Sequence, residues 1–530
     1  MGDCRVDGPD SPPVESPEEM IGRFQAELMT ALPDWKQRLK DDSTALHELE
    51  QEVQKAFSRG AGLLTVGLLA VVMKSPQLEQ AAERTRRGFA HRLARGKARQ
   101  IRVRLLGGLV IWITSLYCAP QPRRREKEEK VPGVYVELAQ FGFAKGCSPA
   151  LESKVARQAA LCPSLEFARQ ELARDGVNLD VKTVGRISRQ AGEGLLRLRW
   201  YQLQLWREGK LPAGDELAGQ RVSVQLDGGR TRIRGPLRAV EPAGEPTDED
   251  GLPTGDTAGR SRKSPRGTYD ADWREPKLLV IFVHDEQGRM KKHSQATVDG
   301  TFLGPDAVCE LVAMHLHRLG AARAQSVTFV ADGGVWIWDR IAAIVRLAKL
   351  DQVPIHEVLD CYHAAHHISL ALASLGFSSE ERLPLYREHR TLLRNGQWRR
   401  VVDELSDLAR DFADDSGVWT EIAYLRKHGE AGRLKYPTFR RLGVPLGSGA
   451  IESNIRRMVN LRLKGNAIYW REETAEAMLQ IRCQVLTNRW DERLSDLHAL
   501  KTHDSRTTWH WTPQDMSSKT EPVTPSTEFS

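Results

Sequence analysis

Paired cysteines are the first thing this sequence lacks. Its 530 residues contain 7 cysteines, at positions 4, 118, 147, 162, 309, 361 and 483, and no two of them have Cys-x-x-Cys spacing. A disulfide framework and a thiolate zinc site both need cysteines in pairs. The sequence therefore argues against both and is typical of a reducing compartment.

Long apolar runs are also missing. The first 19 residues are acidic and proline-rich with no apolar centre, so they do not resemble a signal peptide. Two apolar runs, Gly60–Met73 and Leu105–Cys118, are shorter than the ~20 residues of a membrane helix. We therefore predict a cytoplasmic protein that contacts no membrane.

Two common catalytic signatures are absent as well: a Walker-type glycine loop and a Ser-His-Asp arrangement. Three carboxylates stand out instead. Asp227 and Asp332 each end an apolar run and each precede two glycines, and Glu452 lies in a segment that begins a helix. Each carboxylate alone has an ordinary structural explanation. Asp227-Gly228 could be a hairpin turn, Asp332 a helix N-cap, and Glu452 the i,i+4 partner of Arg456.

Together, the three carboxylates favour a metal site. A site made only of carboxylates suits Mg²⁺, which prefers oxygen ligands. Two such ions about 4 Å apart can activate an attacking oxygen and stabilise a leaving oxygen on phosphorus. We expect Asp227, Asp332 and Glu452 to converge in the fold.

The chain is long enough for more than one domain, because single cores stop growing at about 250 to 300 residues. Residues 222–375 alternate strand-like and helical patterns, which predicts an α/β fold with a mixed sheet covered by helices. The predicted strands are Val222–Asp227, Leu278–Asp285, Lys291–Val298, Val327–Asp332 and Ile355–Asp360. Such sheets place functional sites at the C-terminal ends of their strands.

A helix-turn-helix pattern precedes this region. Ser164–Arg174 and Val181–Glu193 have helical spacing on either side of a turn that begins at Gly176. The outer face of the second helix carries Lys182, Thr183, Arg186 and Arg189. A basic and polar face on the second helix is typical of major-groove binding, although helical hairpins are common.

Net charge is +7 with pI ≈ 9.0, which permits a polyanionic partner without requiring one. Basic residues concentrate between 84 and 104, just before a predicted β-hairpin around Gly107-Gly108. The region is either a solvated surface or a phosphate-contacting one.

Several motifs in fixed order resemble bacterial insertion-sequence DDE transposases of the Mutator-like group, Kra-type branch. They are Val224–Gly229, Trp273–Lys277, Ala331–Gly334 with Trp336–Trp338, Leu359–Ala364, Pro445–Ser453 and Arg462–Gly465. The resemblance spans about residues 148–491. It implies a ribonuclease-H-like core with an all-helical insertion before the glutamate, and the catalytic, metal-binding triad Asp227, Asp332 and Glu452.

By this resemblance, the predicted function is DNA transposition with two Mg²⁺ (or Mn²⁺) ions per active site, in a nucleoid-associated bacterial protein. Double-stranded DNA, as terminal inverted repeats and target, is the predicted partner, and two DNA ends require a homodimer or larger assembly. The alternatives are a ribonuclease-H-like nuclease without strand transfer and a DNA-binding regulator derived from a transposase. Candidate phosphate contacts beside the glutamate are Arg456, Arg457, Arg462 and Lys464.

The cluster Asp360, Cys361, His363, His366 and His367 matches no closed tetrahedral zinc site, so we predict no zinc. By resemblance, Asp360 and His363 lie near the active site. The predicted organisation is a disordered tail (1–15), a helical region with a β-hairpin (16–147), a helix-turn-helix region (148–215), core (216–375, with a disordered insertion at 241–272), helical insertion (376–440), C-terminal core helices (441–495) and a disordered tail (496–530).

Overall fold

The computed structural model describes residues 2–88, 93–120, 133–143, 146–235, 270–413, 416–465 and 468–503. Its strands are β1 Asp3–Arg5, β2 Leu93–Arg104, β3 Val110–Pro120, β4 Val134–Tyr135, β5 Arg221–Gly228, β6 Thr231–Gly235, β7 Asp270–Arg274, β8 Lys277–Val283, β9 Thr297–Thr301, β10 Ser326–Ala331 and β11 Ile355–Leu359. The helices up to β11 are α1 Pro17–Asp41, α2 Leu46–Met73, α3 Pro76–Gly88, α4 Val136–Gln140, α5 Pro149–Leu161, α6 Leu165–Arg174, α7 Val181–Arg207, α8 Pro305–Arg318, α9 Val335–Trp338 and α10 Ile341–Leu347. The later helices are α11 Cys361–Ser374, α12 Ser379–Arg394, α13 Trp398–Leu408, α14 Gly417–Glu430, α15 Tyr436–Leu442, α16 Gly449–Ile455, α17 Glu472–Leu486 and α18 Trp490–His503.

The N-terminal part combines a helical hairpin with a small antiparallel sheet. Ser16 caps α1, and Pro17 occupies its first turn. The predicted β-hairpin forms from β2 and β3, and β1 pairs with the other edge of β3. The structure therefore corrects the predicted disordered tail over 1–15, because Cys4 and Val6 are buried in this module's core.

One described helical stretch, Ser43–Met73, is long and apolar enough to cross a membrane by length and composition alone. Only 39% of its most apolar window is buried. Within the described residues, its α2 portion packs against α1.

The helix-turn-helix pattern is present as α6 and α7. Ser164 caps α6 and Asp180 caps α7 through their side chains, and Gly176 takes a positive φ of 81° in the turn. Helix α7 runs to Arg207, well past the predicted end at Glu193. Its continuation includes buried Leu195, Leu196 and Leu203. Just before it, a Cβ atom on Gly192 would lie 2.5 Å from the carbonyl oxygen of Ala477 in α17, so glycine permits close packing there.

A five-stranded mixed sheet forms the centre of the fold, which confirms the α/β class. Its order is β11-β10-β5-β8-β9; β11, β10 and β5 run parallel, and β8 and β9 continue antiparallel. The side chains of β8 point alternately to the two faces of the sheet, and each face packs against a separate hydrophobic core. Leu279 and Ile281 belong to the first core, and Leu278 and Val280 belong to the second. Helices α8, α10 and α11 belong to the first core, and α5, α7, α16 and α17 to the second.

Some predicted boundaries are wrong. The third predicted strand, Lys291–Val298, is β9 and begins only at Thr297, because residues 291–295 are polar and His293 adopts a φ of 66°. Most of the predicted 241–272 insertion lies outside the described residues, but its last residues, 270–272, belong to β7. Helix α18 continues to His503, beyond the predicted tail start at 496; residues 504–530 lie outside the described part.

The described residues between β11 and α16 form the helices α11 to α15, joined by short turns. Ser378 and Glu381 form a capping box at the start of α12. Helix α14 packs against α11 and thereby borders the end of β11. This helical segment therefore contributes side chains close to the carboxylates.

Candidate active site

Three aspartates lie at the C-terminal ends of the three parallel strands, at equivalent positions. The registers pair Val330 with Gln225 and Ala331 with Leu359. Continued to the residues that follow, the registers align Asp332 with Asp227 and with Asp360. Neighbouring strands lie about 4.8 Å apart, so the three aspartates form one row at the sheet's C-terminal edge.

Asp227 is the most perturbed of the three. Its Oδ1 accepts a hydrogen bond from the Gly228 amide at 2.6 Å. Burial, followed by the negative charge of Asp332, raises the pKa of its carboxyl from 3.8 to about 6, with smaller contributions from Glu275 and Glu452. This side chain is surrounded by negative charge and partly removed from water, which is the electrostatic setting in which carboxylates bind cations.

The hairpin-turn explanation for Asp227 is excluded, because β6 does not pair with β5. Strand β5 pairs with β8 and β10, and β6 pairs with β7 in a separate two-stranded sheet.

Asp332 begins a turn that leads into α9. Its Oδ1 accepts a hydrogen bond from Gly334 N–H at 3.0 Å, and its carbonyl oxygen accepts one from the Trp338 indole at 2.9 Å. Asp332 therefore does contribute a capping interaction near this helix, as its structural explanation proposed. It also faces Asp227 across the strand pair, which a capping role alone does not require.

Glu452 is held on the same side of the sheet by Gln225. Gln225 lies two residues before Asp227, so both side chains point to the same face of β5. The Gln225 amide donates to the carbonyl of Gly447 at 3.2 Å and accepts from Ile451 N–H at 3.0 Å. These two hydrogen bonds fix the start of α16 over the face from which Asp227 projects.

Asp360 is connected to Glu452 through Ser448. Its Oδ1 accepts hydrogen bonds from the amides of Tyr362 and His363, at 2.6 and 2.8 Å. The Ser448 hydroxyl lies 2.6 Å from Asp360 Oδ2 and 2.9 Å from Glu452 Oε1. Asp360 is 2% exposed, so it positions other groups and does not present a free ligand face.

A cavity of about 400 Å³ opens on this side of the site, lined by Gln225, Asp360, Tyr362, Gly447 and Glu452 among others. Asp227 and Asp332 are not among its lining residues.

A histidine and tyrosine cluster adjoins the aspartate row and includes residues that sequence reasoning missed. The ring nitrogens of His363 and His367 lie 3.2 Å apart, and His367 contacts Glu421. The Tyr424 ring stacks on His367 with centroids 3.6 Å apart. The Tyr424 hydroxyl is buried, and no described residue forms a hydrogen bond with it. Burial, with Asp332 and Asp360 nearby, raises the pKa of Tyr424.

The tyrosine lies directly against the Asp332 turn. A Cβ atom on Gly333 would lie 2.1 Å from the Tyr424 ring, so only glycine permits this approach. The glycine after Asp332 is the sequence feature that could have indicated a close contact at this turn. The partner is 91 residues away, on α14, and no local pattern identifies it.

The described residues contain no group of three or more His, Cys, Asp or Glu side chains arranged to hold a metal ion. Asp227 and Asp332 are close enough to raise a pKa by repulsion, whereas Glu452 is turned to Ser448. The arrangement gathers the three predicted carboxylates around one strand edge but does not form a closed coordination shell.

The predicted DNA-contact residues on α7 divide into two pairs. Lys182 and Arg189 are exposed, whereas Thr183 and Arg186 are half-buried. The Thr183 hydroxyl donates to the Asp180 carboxylate at 2.7 Å, which completes the N-terminal cap. Thr183 therefore has a structural role that accounts for it. Lys182 is exposed, and Arg189 is exposed but lies 3.4 Å from the Glu193 carboxylate.

Beside the glutamate helix, Arg456, Arg457 and Lys464 are exposed, but Arg462 is not. Arg462 is 4% exposed, donates to the carbonyl of Ala159 at 3.3 Å and lies over the Trp470 ring at 5.1 Å. Burial lowers its pKa. The structure therefore corrects the prediction that Arg462 contacts DNA: it joins α5 to the C-terminal helices.

Comparison with known proteins adds no assignment. No family model, curated protein or solved structure matches the chain.

Proposed function

We propose that this chain is a metal-dependent phosphoryl transferase that acts on DNA. Within that class, we propose a DDE transposase that cleaves DNA at the ends of its element and joins the 3′-hydroxyl to target DNA. The observation that carries the proposal is the placement of Asp227 and Asp332 at equivalent ends of adjacent parallel strands, with Glu452 docked over the same face through Gln225.

The residues present fit divalent cations. Asp227 has a pKa of about 6 because it is buried near other carboxylates, and a bound cation would relieve that repulsion. Asp227, Asp332 and Glu452 would hold Mg²⁺ or Mn²⁺, with Glu452 released from Ser448. When bound, two such ions supply Lewis-acid chemistry for in-line displacement at phosphorus.

The protein's own groups orient this site. Gln225 and Ser448 fix the backbone and side chain of the glutamate segment, and Asp360 anchors Ser448. Tyr424 packs against the Asp332 turn, with its hydroxyl buried. His363 and His367 lie beside Tyr424 and border the site on the same side.

The architecture supports a ribonuclease-H-like core. A mixed sheet flanked by helices carries the aspartates, and a helical segment, α12 to α15, separates β11 from the glutamate helix. The sequence resemblance likewise implies a mixed sheet with a helical insertion before Glu452.

Double-stranded DNA is the proposed partner. Lys182 and Arg189 on α7 and the exposed arginines of β2 are the basic surfaces that support it. Two element ends must be brought together for transposition, so we propose a homodimer or larger assembly.

The test uses purified protein, Mg²⁺ and DNA that carries the inverted repeats flanking the gene. Nicked element ends and joined products are expected, with both lost in Asp227→Ala. Cleavage without joining would indicate a nuclease of the same fold, and DNA binding without either product would indicate a regulator. Full activity in Asp227→Ala would overturn the site assignment.

A further inference from the structure

An exposed tryptophan surrounded by cations lies just past the end of the Asp227 strand. Trp273 on β7 is 47% exposed. The guanidinium carbons of Arg232 and Arg230 lie 4.9 and 5.9 Å from its ring centroid, and the Lys464 ammonium lies at 5.9 Å. Arg232 also lies 5.7 Å from the ring of Tyr469. We call Trp273, Arg230, Arg232, Lys464 and Tyr469 the aromatic-basic patch.

The sequence builds this patch by simple alternation. In β6, Thr231 and Ile233 are buried, so Arg232 and Arg234, which alternate with them, lie on the other face of the strand. The register places Trp273 directly opposite Arg232. Nothing in the predicted active site accounts for an exposed indole at this position.

Hydrogen bonds hold the strand that carries the patch in place. The Thr231 hydroxyl donates to the carbonyl of Leu463 at 2.6 Å, and Arg234 N–H donates to the carbonyl of Trp470 at 2.7 Å. Strand β6 is thereby tied to the segment that follows the glutamate helix. A rigid aromatic surface loses little freedom when a ligand stacks on it.

The patch is also close to the proposed cleavage site. Gly229 N–H donates to the carbonyl of Pro276 at 2.9 Å, so the β5–β8 ladder continues directly into β6–β7. Arg232 is five residues beyond Asp227, at most about 17 Å along an extended strand. That distance corresponds to about five stacked nucleotides at 3.4 Å each.

The positive charges of the aromatic-basic patch indicate which kind of ligand it binds. Among the described residues, Arg230, Arg232 and Lys464 form no ion pair with a carboxylate, so three positive charges border the exposed indole. Aromatic rings bordered by Arg and Lys bind unpaired nucleotides, because bases stack on the ring while cations contact the backbone. Paired bases within a duplex do not offer a free face to such a ring.

We infer that the aromatic-basic patch binds unpaired bases of a DNA strand next to the cleavage site, with Trp273 as the stacking surface. This inference rests on the proposed function, because it assigns the patch to the DNA substrate of the same site. It adds a substrate class, a locally unpaired strand, that the carboxylates do not imply.

The test measures binding without catalysis. A 12-nucleotide single strand containing 2-aminopurine and a duplex of the same sequence are titrated with protein in EDTA, for wild type, Trp273→Ala, Trp273→Phe and Phe412→Ala. Phe412 is an exposed aromatic residue on the helical segment and serves as the matched control. Thermal unfolding of each variant is measured alongside.

Trp273→Ala is expected to weaken single-strand binding about tenfold, the loss of one stacked base, and to reduce 2-aminopurine quenching. Duplex affinity should change less than twofold, and Trp273→Phe and Phe412→Ala should stay close to wild type. Unchanged single-strand binding in Trp273→Ala, or equal losses for single strand and duplex, would overturn the inference.

The binding test and the cleavage assay distinguish failure of the proposed function from failure of the patch assignment. If wild-type protein with Mg²⁺ gave neither nicked nor joined DNA while the Trp273→Ala binding defect persisted, the patch would stand and transposition would not. If cleavage and joining occurred but Trp273→Ala bound the single strand normally, only the patch assignment would fail.

Discussion

Asp227 ends strand β5 with its carboxyl partly removed from water and close to a second carboxylate. Its folded-state pKa of about 6 lies above the ordinary 3.8. Between these values the folded protein binds more protons than the unfolded chain, so its free energy of unfolding falls as pH rises through this window. Above the window the ionised carboxylate remains a source of instability in the metal-free protein.

Asp227→Asn should therefore stabilise the metal-free protein while abolishing activity. The full pKa shift corresponds to at most about 3 kcal/mol at pH 7.5, and the gain should vanish near pH 4. Chemical unfolding in EDTA at both pH values measures it, with exposed Asp351→Asn as control. DNA cleavage should fall by roughly 10³-fold or more. Equal stability at pH 7.5 would contradict the electrostatic account of this site.

Ser448 is the second residue whose role can be isolated. Its hydroxyl joins Asp360 to Glu452, while its backbone N–H independently contacts Asp360. Ser448→Ala removes the hydroxyl and keeps the backbone contact, so the helix start should persist. Groups that orient metal ligands typically contribute about 10- to 100-fold to affinity or activity.

We expect that range of activity loss in Ser448→Ala, with a higher Mg²⁺ concentration needed for half-maximal cleavage. Cleavage titrated against Mg²⁺ measures both effects. Exposed Ser453→Ala on the same helix is the matched control. A Ser448→Ala enzyme with an unchanged Mg²⁺ requirement would show that the hydroxyl does not position Glu452.

The turn between β10 and α9 shows how one element constrains another far along the chain. Gly333 leaves space that the Tyr424 ring of α14 fills, whereas Gly449 at the start of α16 has no atom within 4 Å of its Cβ position. Gly333→Ala should therefore displace Tyr424 or the Asp332 turn, at about 1–3 kcal/mol of overpacking. Gly449→Ala should be tolerated.

Urea unfolding and cleavage assays compare the two glycine variants. Cleavage should fall in Gly333→Ala even where the protein remains folded, because the Asp332 backbone moves. The double variant Gly333→Ala/Tyr424→Ala should recover part of the stability, which a double-mutant cycle measures as coupling. Additive losses would mean that the tyrosine and the turn do not contact each other in solution.

At the scale of the whole molecule, local patterns predicted the elements better than their partners. The strand–carboxylate–glycine pattern located Asp227 and Asp332, and helical spacing on either side of a glycine turn located α6 and α7. The predicted DNA contact of Arg462 was wrong because the burial of this residue depends on Ala159, which lies 303 residues earlier in the chain. The Tyr424 contact and the β1 pairing were missed for the same reason: both are made by chain segments that share no local signal.

The N-terminal module, residues 2–143, has a core of its own, and this separation yields the last prediction. Its buried cluster runs from Cys4 to Leu138, whereas the cluster behind the active site begins at Cys147. The junction includes hydrogen bonds from Arg104 N–H to Gly146 and from Ser148 N–H to Arg104, at 2.9 and 3.0 Å. A chain of residues 148–503 should therefore unfold cooperatively on its own.

That shortened chain should bind inverted-repeat DNA more weakly and with a shallower salt dependence. The exposed cations it loses include Arg84, Arg87, Arg95, Lys97, Arg99 and Arg102. Each lost phosphate contact lowers the slope of log affinity against log salt by about 0.9. The full-length variant Arg95→Ser/Lys97→Ser/Arg99→Ser, with all three cations on the β2 edge, should reproduce part of the change without removing the module. Equal affinity and slope in all three proteins would leave α7 as the DNA-binding surface and the basic strand as an ordinary solvated one.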